Sequence, residues 1–135
     1  MNTRLLMSLS AMLLAALGTG ISFLPQEALV HMGVAPEGPI VLVMQLLGAL
    51  YLGAAILNWM NRGMLIGGIY GRPVAMANFF NFAIGALALL KGMAASHFEL
   101  EVVVVATVYS VFAVWFGIVL FTHPIDATAR AGGSP

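Results

Sequence analysis

Four apolar runs, residues 5–24, 40–60, 74–90 and 102–121, contain no Asp, Glu, Lys or Arg at all. A bilayer core about 30 Å thick asks for about 20 apolar residues in a spanning helix. Three of the runs meet that length, and the run 74–90 falls slightly short of it. Inside hydrocarbon a chain must satisfy its own backbone polar groups, which leaves the helix as the economical solution for runs of this length. Helix-ending residues bound each run: Pro25 after the first, Pro39 before the second with Asn61 and Arg62 after it, Arg72 and Pro73 before the third with Lys91 and Gly92 after it, His123 and Pro124 after the fourth. The pattern predicts an all-α integral membrane protein, an antiparallel four-helix bundle. Only 7% of the 135 residues are charged and 61% are hydrophobic. A soluble domain carries about 25% charged residues, so the soluble and disordered classes are both excluded.

The few charges orient the chain. Arg4, Arg62, Arg72 and Arg130 fall on one side if four helices alternate, and Lys91 alone falls on the other. Lys and Arg accumulate on the cytoplasmic side, so both termini are expected there. Glu27, Glu37, Glu99 and Glu101 all fall on the opposite side. A cleaved signal sequence is the alternative for the first run. Its apolar stretch continues through Ile21 and Leu24, longer than a signal core, and favours a retained helix.

Between the spans, Pro25 opens and Gly33 closes a segment that reads as a short helix, with Ala28, Leu29 and Met32 placed to lie on the membrane surface. Residues 63–71 are apolar but glycine-rich and read as an interfacial or partly re-entrant connection. A longer third helix starting near Met64 would carry Arg72 into the bilayer at a cost of several kcal/mol. Residues 1–124 form one transmembrane domain, and 125–135 a short tail expected to be disordered and cytoplasmic.

Helices in lipid associate through close backbone approach and a few polar contacts. Ala11, Ala15 and Gly18 share one face of the first span, with Ala16 and Gly20 beside it. Ala49 and Gly53 lie four apart in the second, next to Gly48. Gly85 follows Asn81 by four in the third, and Gly117 lies in the fourth. These positions are expected to be packing faces. Trp59 fits an interfacial anchor, and Trp115 sits deeper.

The densest polar group falls on the cytoplasmic side: Asn58, Asn61, Arg62, Tyr70, Arg72, Asn78 and Asn81. A buried amide in hydrocarbon needs a partner, so the asparagines are expected to make interhelical hydrogen bonds. The same group also reads as a ligand site, with an anionic headgroup or small anion held between Arg62 and Arg72 above the asparagines. Gln45 and Thr107 are at equal depth toward the other side and would meet if spans two and four were neighbours.

Other chemistries find little support. There are no cysteines, hence no thiolate metal site, disulfide or cysteine nucleophile. No basic stripe exists to track a nucleic acid. No histidine or carboxylate pair lies within a span, and no phosphate loop is present. His97 and Glu101 are four apart, but Ser96 and Glu99 read more simply as a capping box opening the fourth helix. Neither a catalytic residue, a metal nor a cofactor is expected. A continuous polar stripe for a channel and an internal repeat for a transporter are both missing.

The run 47–53 with its Gly48, Ala49, Tyr51 and Gly53, then Asn58, Trp59, Met60, Asn61 and Arg62, then Gly67 to Pro73 and Asn78 with Phe79, resembles a family of small bacterial four-helix membrane proteins of unknown function. The layout as a whole is similar to DoxX-like membrane proteins. The first likeness covers about the middle third of the chain, and the second is architectural. The resemblance implies a bacterial inner-membrane helical bundle and supplies no catalytic residue. The expectation is a non-enzymatic protein that binds an anionic lipid or a membrane protein partner through the polar cluster. A small homo-oligomeric transporter or channel is the alternative, and DoxX-like analogy adds a membrane subunit of a redox assembly.

Overall fold

A computed structural model describes residues 3–64, 71–95 and 100–122. Among these residues the fold is all-α: α1 (Thr3–Phe23), α2 (Pro25–His31), α3 (Pro39–Asn61), α4 (Gly71–Ala95) and α5 (Leu100–Thr122). All but α2 are long and apolar enough to cross a membrane, which marks a multi-pass membrane protein. Each of the four long helices is built on one of the four uncharged runs. The chain divides into two compact units, Asn2–Gly63 and Met64–Pro135, each built on a helical hairpin.

In the first hairpin α1 packs along α3. Gly18 faces Gly48, Ser10 faces Asn58, and Arg4 shares a groove with Arg62. Positions rise along α1 as they fall along α3, so the pair is antiparallel. The buried stripe Leu6, Ser10, Leu14 and Gly18 repeats every four residues, one face of a helix. Gly18 and Gly48 set the closest approach. A Cβ on Gly48 would lie 2.6 Å from the Ser22 nitrogen and 2.8 Å from the Gly18 oxygen. Of the small residues Gly48, Ala49 and Gly53, Gly48 is therefore the one at closest approach to α1; a Cβ on Gly53 would meet nothing within 4 Å.

Pro25 occupies the first turn of α2, where its missing N–H is not needed. Gly33 closes α2 at φ 70°, a conformation open to glycine, while Val34 N–H donates to the Leu29 oxygen at 2.9 Å. Leu29 is only 2% exposed, so it faces protein rather than a membrane surface as the sequence had implied. Val30 and Met32 are the exposed apolar residues of this segment.

In the second hairpin α4 packs along α5, also antiparallel: Gly85 meets Tyr109, and Phe79 meets Gly117 and Phe121. Buried Ala106, Tyr109, Ala113, Phe116 and Leu120 recur every three or four residues, the seam spacing of a coiled coil. Its centre is Phe82, stacked on Phe112 and Phe116 with Tyr109 edge-on. The third span is longer than residues 74–90. It starts at Gly71 and runs through Lys91 and Gly92 to Ala95. Pro73 lies in the first turn, where it breaks no hydrogen bond. A single glycine costs a helix about 1 kcal/mol, less than an unsatisfied backbone in an apolar setting. Arg72 thereby joins the exposed first turn of α4. The connection 65–70, the capping box at 96–99 and the tail from 123 lie outside the described residues.

Candidate functional site

The first hairpin gathers its basic side chains at one end. Because α1 and α3 are antiparallel, the start of α1 and the finish of α3 share that end. Arg4, Leu5, Ser8 and Arg62 line an open groove of about 410 Å³ there. The Arg62 guanidinium carbon lies 3.6 Å from the centroid of the Trp59 ring. They lie three positions apart, so both side chains fall on one side of the C-terminal end of α3. The contact holds the cation against the ring's negative face while leaving its N–H donors available at the edges. The carboxylates of this unit, Glu27 and Glu37, lie at the other end of the hairpin, in α2 and in the turn before α3. Charge is thus segregated along the hairpin's length.

Below the groove Asn58 and Ser10 form the polar tie between the helices. Both are 0% exposed. Asn58 Nδ2 donates to Ser10 Oγ at 3.0 Å, and Ser10 Oγ donates to the Met7 oxygen at 3.0 Å. The hydroxyl accepts from one helix while donating within its own. This is the interhelical hydrogen bond expected of the asparagines, with its partner on α1. Asn61 behaves differently: its Nδ2 donates to the Leu57 oxygen of its own helix at 2.9 Å. Asn58→Ala is expected to destabilise this hairpin by about 1–2 kcal/mol, from a hydrogen bond worth about 0.6 kcal/mol in lipid and a small cavity. Denaturation in mixed micelles reads the change. An unchanged midpoint would show that Ser10 gains nothing from Asn58.

The remaining residues of the expected cluster belong to the second unit. Asn78 is 5% exposed and donates from Nδ2 to the Val74 oxygen at 2.8 Å. Asn81 and Arg72 are exposed on α4. Tyr70 lies outside the described residues. Thr107 donates to the Val103 oxygen of its own helix at 2.8 Å, and Gln45 is exposed on α3. Among the described residues no three His, Cys, Asp or Glu side chains gather as metal ligands.

Sequence reasoning missed three members of the site, Arg4, Ser8 and Ser10. Ser10 carried a signal, since it falls on the face shared by Leu6, Leu14 and Gly18. Arg4 entered the reading only as a topological charge, and the antiparallel pairing is what brings it to Arg62. The arrangement offers two guanidinium groups and a hydroxyl at one helix-pair end. These are donors without an acidic partner in their own unit, suited to an anion held by hydrogen bonds and charge. No protein-family model, curated protein or solved structure matches this chain.

Proposed function

We propose that this chain is a non-enzymatic multi-pass protein of the bacterial inner membrane that binds anionic lipid at the basic end of its first hairpin. The observation that carries the reading is Arg62 laid over Trp59 beside Arg4 and Ser8. Trp prefers the headgroup level of a bilayer, so a guanidinium stacked on it is at phosphate height. The distribution of Arg4, Arg62, Arg72 and Arg130 supports a cytoplasmic side for that end and for both termini. Arg72, in the first turn of α4, is a further exposed cation. The inner leaflet then supplies the ligand, because anionic headgroups draw juxtamembrane Arg at about 1 kcal/mol each.

Two experiments test this. Native mass spectrometry in mild detergent, with phosphatidylglycerol and phosphatidylcholine offered together, should show preferential retention of phosphatidylglycerol. Arg4→Gln with Arg62→Gln should cut that preference by roughly tenfold or more, from about 1 kcal/mol per arginine. Equal preference in the double variant would refute the reading. Orientation is checked separately, since a chain without cysteine accepts single-cysteine labelling cleanly. Gly33→Cys should react with an impermeant maleimide in intact cells, and Gly63→Cys only after the membrane is opened. The reverse pattern would invert the topology and place the arginines outside.

A further inference from the structure

The basic groove does not end at Ser8. On α1 the sequence Arg4, Ser8, Ala11 and Ala15 advances by three or four residues per step, so all four lie along one face. On α3 Arg62, Trp59, Ala55 and Leu52 do the same in the opposite direction. Arg4, Ser8 and Arg62 line the groove at the end of the hairpin. Ala11, Ala15, Ala55, Leu52 and Trp59 line a second groove of about 250 Å³. Trp59 joins them, being a wall of the second and the seat of the arginine in the first.

The second groove has a small-residue floor between taller walls. Ala11 and Ala55 are 3% and 5% exposed, whereas Met12 and Ile56, on the outer edges, are 55% and 62% exposed. Its lining exposes no polar atom. From Arg4 to Ala15 the helix rises roughly 16 Å at 1.5 Å per residue. One leaflet of a 30 Å hydrocarbon core is about 15 Å deep. The face therefore presents cations and a hydroxyl at headgroup height, then an apolar furrow one leaflet long.

We infer that this face is a binding slot for a single anionic phospholipid of the leaflet on the basic side, its phosphate between Arg4 and Arg62 and one acyl chain along the alanine furrow. The inference rests on the headgroup reading above and adds the chain. Charge selects the occupant: a plain apolar helix would fill the furrow equally well but would leave two arginines facing nothing acidic in their own unit. Ser8 supplies a neutral donor to the same headgroup. The Arg62–Trp59 stack fixes the cation at the point where headgroup and chain meet.

Brominated lipids test it on the full chain. Trp59 and Trp115 are its two tryptophans, so Trp115→Phe leaves Trp59 as the sole reporter. This variant is reconstituted in phosphatidylcholine vesicles carrying one tenth of either phosphatidylglycerol or phosphatidylcholine brominated along the acyl chains. Brominated phosphatidylglycerol should quench Trp59 about fivefold more effectively than brominated phosphatidylcholine. Ala15→Phe, which fills the furrow, should bring the two toward parity. Ile56→Ala, which lowers an exposed wall and leaves the helix contact intact, should at least halve the preference. Loss of preference in Arg4→Gln with Arg62→Gln, together with loss in the two furrow variants, supports slot and headgroup reading alike. Loss in the arginine variant with full preference in both furrow variants overturns the slot and leaves the headgroup reading standing. No preference in the parent overturns both. Trp59 quenched by neither lipid overturns the slot, because another helix, from this chain or a second copy, then covers the furrow.

Discussion

Gly48→Val will force α1 and α3 apart and lower the stability of the first hairpin by about 3 kcal/mol, the upper part of the range for overpacking. The atoms in the way are main-chain ones. A Cβ on Gly48 falls 2.6 Å from the Ser22 nitrogen and 2.8 Å from the Gly18 oxygen, besides meeting the Ser22 hydroxyl. The hydroxyl can rotate away, but the nitrogen and the carbonyl belong to helix α1 and move only with the helix. The contact is mutual, since a Cβ on Gly18 would lie 2.8 Å from the Gly48 oxygen and 2.9 Å from the Leu52 nitrogen. In lipid no hydrophobic drive pulls the helices back together, because acyl chains solvate valine as well as a neighbouring helix does. Gly53→Val is the control: nothing lies within 4 Å of its Cβ, and the change should stay within about 0.5 kcal/mol. Unfolding in graded dodecyl sulfate measures both. A Gly48→Val protein as stable as its parent would show that α1 and α3 are not held at glycine distance.

The spans were legible because charge is expelled from hydrocarbon, and the absence of charge over about 20 residues is a signal that survives any packing arrangement. Which side of each helix packs was far less legible. A soluble helix betrays its buried face by polar residues opposite, whereas α5 runs from Val102 to Phe121 without a charged residue on any face. Small residues were the remaining clue. They succeeded at Ala11 and Gly18, and at Gly85 and Gly117, each of which lies against an aromatic ring. They did not single out Gly48 as the α3 glycine against α1, because Ala49 and Gly53 next door fit equally well and only the register with α1 decides. The limits of the third span were misread because Pro73, Lys91 and Gly92 look like stops. A first-turn proline is harmless, and a lysine near a helix end can carry its ammonium toward water. At the site, Asn58 was visible as an amide needing a partner, yet a lone serine such as Ser10 ordinarily satisfies itself on its own helix. Its second role depends on α3 being the neighbour.

The second hairpin depends on a different device, and Phe82→Ala should expose it with a loss of about 3 kcal/mol, at the low end of values for deleting a buried aromatic. Phe82 is 0% exposed. Its ring stacks on Phe112 at 4.8 Å and 19°, and on Phe116 at 5.8 Å and 12°, while Tyr109 meets it edge-on at 5.2 Å and 73°. Such pairs are worth about 0.5–1.5 kcal/mol each beyond the area they cover. The low end applies because an unfolded helix in lipid already has its phenylalanine in an apolar solvent, so transfer from water contributes nothing. What is lost is close packing and ring geometry, and the cavity left among three rings cannot close while Gly85 keeps Tyr109 against α4: a Cβ there would sit 2.6 Å from the Tyr109 ring. Phe82→Leu should recover about half of the loss by refilling volume without the ring stacking. Ile84→Ala, at a residue 62% exposed on the same helix, should cost no more than about 0.5 kcal/mol. If Phe82→Ala and Ile84→Ala unfold at the same dodecyl sulfate fraction, the aromatic cluster contributes nothing and α4 and α5 are held by the glycine contacts alone.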